Sequence, residues 1–125
     1  MKIILVADDA PVIRKVARRL LQDMGFVVVE AETADQVLSI CRDNMPDAVL
    51  LDYDMPGMKS IEIIPEIVRM QSGHECKVIY CTSEMLVPEM TRAKRAGAKA
   101  FLMKPFNRKI LSYKLAEAGL DPVAA

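Results

Sequence analysis

The sequence predicts an α/β domain in which a parallel sheet carries helices on both faces, and three observations predict it. Five short, nearly continuous apolar runs recur along the chain, the segments between them carry helical apolar spacing, and acidic, hydroxyl and lysine residues fall where the runs end. Such runs suit parallel strands buried on both sides, and strand alternating with helix throughout makes five βα units. At 125 residues the chain has the size of one domain.

The first strand is the run KIILVA, residues 2–7. After it, Val12, Ile13, Val16, Ala17, Leu20, Leu21 and Met24 make one apolar stripe on a helix of about four turns. Asp9 is its candidate N-cap, Pro11 lies in the first turn, and Gly25 stands where a left-handed terminator belongs. FVVVE, residues 26–30, is the second strand, and Thr33 with Gln36 gives the next helix a capping-box spacing. DAVLL, residues 47–51, is the third strand, with a helix over 61–70 that tolerates Pro65 because it lies in or near the first turn. KVIYC, residues 77–81, precedes a helix over 88–96 that stops at Gly97. AFLM, residues 100–103, precedes a helix over 107–118 that stops at Gly119, and LDPVAA after it reads as a frayed tail. The expected organisation is one domain over 1–119 and a tail over 120–125, with no output domain.

A hydrophobic share of 52% and a formal net charge of zero argue against disorder and against whole-chain attraction to nucleic acid or membrane. Cys41, Cys76 and Cys81 form no CxxC pair, which fits reduced thiols in a cytoplasmic protein and argues against zinc. The first apolar run is too short for a signal-peptide core or a membrane span. His74 reads as a surface turn residue, the nine methionines as packing, and Cys81 as an inert thiol in a buried strand.

In open α/β sheets, sites form beyond the carboxyl ends of the strands. Asp8 and Asp9 follow the first strand, Asp52 the third, Thr82 and Ser83 the fourth, and Lys104 the fifth. Carboxylates crowded on one rim raise one another's pKa or recruit a cation. Mg²⁺ is the natural candidate, because it takes oxygen ligands from one or two carboxylates together with a phosphate. An Asp52 oxygen could then attack a phosphoryl group whose oxygens are bound by Thr82 and Lys104. Each piece alone also reads as a helix cap, a turn or a solvated loop. Their combination on one rim is what points to phosphoryl transfer onto a carboxylate.

At these residues the sequence resembles the receiver domain of bacterial two-component response regulators, most closely the stand-alone chemotaxis-regulator kind. LVADDAPVIRKV resembles the family's acidic pair, LLDYDMPGM its acceptor loop, VIYCTSE its Thr or Ser motif, and AKAFLMKPF its Lys-Pro motif. The resemblance implies a flavodoxin-like fold with strand order 2-1-3-4-5 and phosphorylation of Asp52. It implies Mg²⁺ held by Asp8, Asp9, Asp52 and the Asp54 backbone carbonyl, with Asp8 acting through water. It makes Thr82 and Lys104 phosphoryl-binding residues, Phe101 the mobile switch ring, Asp54 and Glu84 tuners of phosphate turnover, and Pro105 the site of a cis peptide. The implied partners are a histidine kinase or phosphotransfer protein and a downstream protein target. Two departures stand out. Lys59 and Ser60 replace the Asp-Gly that usually closes the family's acceptor loop, and Asp54 places a carboxylate at the position that faces the phosphoryl group in the family.

A haloacid dehalogenase-like phosphatase also uses Asp-x-Asp, then Ser or Thr, then Lys. Its acidic metal motif comes last, however, whereas the acidic pair comes first here, and there is no cap region. A degenerate receiver acting only as an interaction module is the other alternative, against which the complete acidic, Thr and Lys set argues. The neutral total also hides an asymmetry. Between residues 90 and 116 stand Arg92, Lys94, Arg95, Lys99, Lys104, Arg108, Lys109 and Lys114, and no acid. This basic face is the expected docking surface for an acidic protein partner, with nucleic acid and membrane insertion not expected.

Overall fold

The computed structural model describes residues 1–71 and 73–121. The elements run β1 (Ile3–Ala7), α1 (Pro11–Asp23), β2 (Val27–Ala31), α2 (Ala34–Asp43), β3 (Ala48–Asp52), β4 (Asp54–Met55), β5 (Met58–Lys59), α3 (Ser60–Met70), β6 (Lys77–Thr82), α4 (Val87–Ala96), β7 (Ala98–Met103) and α5 (Arg108–Glu117). The five long strands form one sheet, parallel throughout, in the order β2-β1-β3-β6-β7. Counted without the two-residue strands, that is 2-1-3-4-5.

Each face of the sheet has its own core. Val37, Leu38, Ile63, Ile64, Ile67 and Ala93 bring α2, α3 and α4 onto one face. Ala17, Leu21, Leu111 and Leu115 bring α1 and α5 onto the other. Of the strands, β3 is buried along its whole length, and β1 and β6 at all but their first residues. The edge strands depart from the expected two-sided burial. In β7 buried residues alternate with exposed or half-buried ones, because an edge strand is covered less completely than the centre.

Local chemistry explains most boundaries and corrects several. Thr33 caps α2 by accepting the Gln36 amide at 3.2 Å, and the Gln36 side chain reaches back to the Glu32 amide at 2.7 Å. Asn107 caps α5 by accepting the Ile110 amide. Asp9, by contrast, does not cap α1. Ala10 holds that position with Pro11 behind it, and Asp8 rather than Asp9 turns back to accept the Ala10 amide. Pro65 sits inside α3, in its second turn rather than its first. The α1 stripe is narrower than its periodicity suggests. Ala17 and Leu21 are buried, whereas Val12 and Val16, one turn apart, are 72% and 46% exposed. Leu120 belongs to the core and bonds back to the Leu115 carbonyl, so the expected tail does not start there; residues 122–125 lie outside the described residues.

Gly97 ends α4 at φ +129°, and a Cβ there would lie 2.9 Å from Val68 Cγ2. Gly97→Ala therefore combines a strained backbone with a clash against α3, and should lower stability by roughly 1–3 kcal/mol. An unchanged denaturant midpoint would contradict this.

Candidate functional site

The strand ends converge on one rim because the backbone ladder is carried past them. The Asp8 amide donates to Ala31, Tyr53 to Cys81, and Lys104 to Thr82, at 2.8–3.1 Å. Asp8, Asp9 and Asp52 each offer an oxygen within 4.8 Å of the others; Asp8 and Asp52 are only 3% and 4% exposed, while Asp9 is exposed. The Lys104 ammonium lies 2.5 Å from Asp52 Oδ1 and 3.1 Å from Asp8 Oδ2. The second Asp52 oxygen has no hydrogen-bond partner among the described residues. Arg14 anchors the acidic turn by donating to the Asp8 carbonyl, and is itself held by Glu30.

Electrostatics follow from this crowding. Burial pushes the Asp52 carboxyl above its ordinary value; the Lys104 hydrogen bond opposes the rise, and the Asp8 and Asp9 charges add to it. For Lys104 burial pulls downward, but hydrogen bonds to Asp52 and Asp8 outweigh it and leave the ammonium's pKa raised. Three carboxylates facing one ammonium leave an excess of negative charge among oxygen donors, with one carboxylate exposed where water can remain. That donor set fits Mg²⁺.

Not every residue named from the sequence reaches the cleft. Asp8, Asp9, Asp52, Asp54 and Lys104 line it, together with Tyr53, Ser83 and Pro105, and the Lys104–Pro105 peptide is cis. Thr82 does not line it: its buried hydroxyl donates to the Glu84 carbonyl at 2.9 Å and accepts the Glu84 amide at 3.2 Å. Phe101 lies in a second layer, half-buried, its ring edge-on to Tyr80 at 6.3 Å. Glu84 is exposed.

Sequence reasoning missed several participants. The loop after Asp52 is a hairpin, β4 against β5, that sets Asp54 opposite Lys59. Ser60 is fully buried and donates its hydroxyl to the Asp52 carbonyl. The Tyr53 ring lies 5.7 Å from the Lys104 ammonium. Tyr80, buried in β6, donates to Glu89 of α4 at 2.5 Å. Ser60 stood out only as a departure from the usual glycine, and for Tyr80 the signal was a tyrosine in a strand of aliphatics, whose hydroxyl must find a partner when buried.

Comparison with known proteins agrees with this geometry. Residues 4–116 match the response regulator receiver domain, and the chain belongs to that family. It is 38% identical over 119 residues to the sensory/regulatory protein RpfC of Xanthomonas campestris, covering 94% of this chain but 16% of that protein. It is 27% identical to the chemotaxis protein CheY of Pseudomonas aeruginosa over 113 residues, 90% of this chain and 91% of that one. Among solved structures, Vibrio cholerae CheY4 superimposes with a TM-score of 0.87 at 29% identity, covering 94% of this chain and 98% of the other. The chain is thus a receiver domain of two-component signalling, with the chemotaxis-regulator fold. Among the described residues, no helix is long and apolar enough to cross a membrane.

Proposed function

We propose that the protein accepts a phosphoryl group on Asp52 from a histidine kinase or phosphotransfer protein and signals through a phosphorylation-dependent change of surface. The observation that carries this reading is the buried Asp52 carboxylate, with one oxygen on Lys104 and the other unpartnered among the described residues, in a cluster with Asp8 and Asp9. The free oxygen attacks phosphorus, the bond from phosphorus to the donor's nitrogen breaks, and the leaving imidazole takes up a proton. Asp8, Asp9, Asp52 and the Asp54 carbonyl would hold Mg²⁺, which when bound offsets their charge and that of the phosphoryl oxygens. Lys104 already touches Asp52, so its ammonium is in place to pair with the incoming phosphoryl group. The Thr82 hydroxyl must leave Glu84 to join it, which releases both the amide and the carbonyl of Glu84. The test is incubation with a small phosphodonor and Mg²⁺: one phosphoryl group should appear on Asp52, and none when Mg²⁺ is chelated before the donor is added. Turnover of an unrelated phosphomonoester at about 1 s⁻¹ or faster would favour a phosphatase instead.

Asp54 and Glu84 are the residues we assign to turnover of the phosphate. Asp54 is exposed at the cleft, and although Lys59 is its cross-strand neighbour the two form no ion pair among the described residues. Its carboxylate is therefore free to accept a proton from water approaching the phosphoryl group. Asp54→Asn should lengthen the phospho-Asp52 lifetime by about tenfold, less than a fully positioned base supplies. A decay rate equal to that of the wild type would make the side chain a bystander.

A further inference from the structure

The hydroxyl of Ser60 stands where the family's acceptor loop usually carries glycine, and its surroundings do not match the common use of serine at a helix start. Serine there normally caps the helix, but Lys59 holds the cap position of α3, and Ser60 is the first helical residue. Its hydroxyl points away from the helix to the Asp52 carbonyl. Asp52 lies one residue past Leu51, the last β3 residue paired with β1, while its pairing with β6 continues, so this hydroxyl closes the segment where the ladder to β1 stops.

The segment so closed is the one that carries Asp54. At its start the Tyr53 amide is fixed on the Cys81 carbonyl at 2.8 Å, and at its tip the Pro56 carbonyl takes the Ala34 amide at 3.0 Å. Met55 is buried, and Gly57 turns the tip at φ +100°, where a Cβ would rest 3.8 Å from that of Ala34. The returning stem is held by the short pairing of β5 with β4, by half-buried Met58 packed against the core, and by the Ser60 hydroxyl, which is its hydrogen bond to the Asp52 backbone. Positive φ is met at Gly57, and no residue other than glycine adopts it among the described residues, so Ser60 is free of the conformational demand that favours glycine.

Resting on the phospho-acceptor reading above, we propose that Ser60 is a positioning residue of this site: its hydroxyl fixes the Asp52 backbone and the hairpin beyond it, and so sets where the Asp54 carbonyl stands for a divalent cation. A buried donor and acceptor of this kind are both costly to leave unpaired, so the bond persists through loop motion. Preorganised ligands bind a cation without first being ordered, and loosening the stem gives that advantage up.

The experiment is Mg²⁺ titration of the unphosphorylated protein, followed by amide chemical shifts, for wild type, Ser60→Ala, Ser60→Gly and Ile67→Val. Ile67→Val is a core truncation on the same helix and controls for lost stability. Both Ser60 variants should bind Mg²⁺ about tenfold more weakly, a loss of about 1.4 kcal/mol, while Ile67→Val binds as wild type. At saturating Mg²⁺ the Ser60 variants should regain the wild-type rate of Asp52 labelling, which a purely structural defect would not allow. If Ser60→Ala fails to fold, Ser60→Gly decides the matter. Wild-type affinity in the Ser60 variants, or an equal loss in Ile67→Val, overturns the role of Ser60 and leaves the acceptor reading standing. No Mg²⁺ binding by the wild type removes both.

Discussion

Asp52→Asn should abolish labelling by a small phosphodonor and, at the same time, make the metal-free protein more stable. The first effect follows because no other carboxylate in the cluster combines burial with a free oxygen beside Lys104. The second follows from the direction of the Asp52 shift. Burial, with the Asp8 and Asp9 charges, raises its folded-state pKa above the unfolded value, so the favourable contribution of the neutral form is full below the ordinary carboxylate range. It is lost as pH rises through the raised value, leaving an ionised, crowded carboxylate at neutral pH. Asparagine removes that ionisation while keeping an oxygen for Lys104. The gain at pH 7 should be on the order of 1 kcal/mol, typical where function has been kept at the expense of stability, and it should shrink toward pH 3. Mg²⁺ at a hundred times its dissociation constant should stabilise the wild type by about 2.7 kcal/mol and the variant far less. Labelling that survives in Asp52→Asn, or a wild type and variant whose denaturant midpoints respond alike to Mg²⁺, would remove Asp52 from the acceptor role.

The sheet was legible in the sequence because its central strands are buried on both faces, and only apolar runs meet that demand. The edges and the helix flanks were not. Periodicity places Val12 and Val16 on the same stripe as Ala17 and Leu21, but the width of the stripe that reaches the core depends on how α1 tilts against the sheet. Likewise the side chains at the strand ends were legible as a set, since Asp8, Asp52 and Lys104 sit where parallel strands stop. Their partners were not. A hydroxyl such as that of Ser60 or Tyr80 has no sequence period, and its acceptor is chosen by tertiary packing. Thr82 shows the same limit. The sequence puts it at the end of β6, but only the fold shows its hydroxyl committed to Glu84 rather than turned into the cleft.

Two of the eight cations between residues 90 and 116 are already engaged by carboxylates. Lys104 belongs to the acceptor cluster and Lys114 pairs with Glu117 at 3.3 Å, which leaves Arg92, Lys94, Arg95, Lys99, Arg108 and Lys109 exposed and without an ion pair among the described residues. Exposed Leu86, Val87, Met103, Ile110 and Tyr113 on or beside α4, β7 and α5 add apolar contact area. A partner suited to this face is a protein surface carrying acids around an apolar centre. Its link to Asp52 runs through residues already in contact. Phe101 packs edge-on against Tyr80, Tyr80 holds Glu89 in the first turn of α4, and Thr82 lies two residues beyond Tyr80 in the same strand. On the phospho-acceptor reading proposed above, Thr82 would move toward the phosphoryl group and Phe101 would turn into the space it leaves; lacking a hydroxyl, the ring would strand no buried donor there. Phe101→Ala should therefore leave Asp52 labelling at the wild-type level while reducing the phosphorylation-dependent gain in partner affinity about tenfold or more. Raising salt should slow association with that partner, because the exposed cations steer the encounter. Binding that gains as much from phosphorylation in Phe101→Ala as in the wild type, or contacts confined to α1, would place the output on another surface.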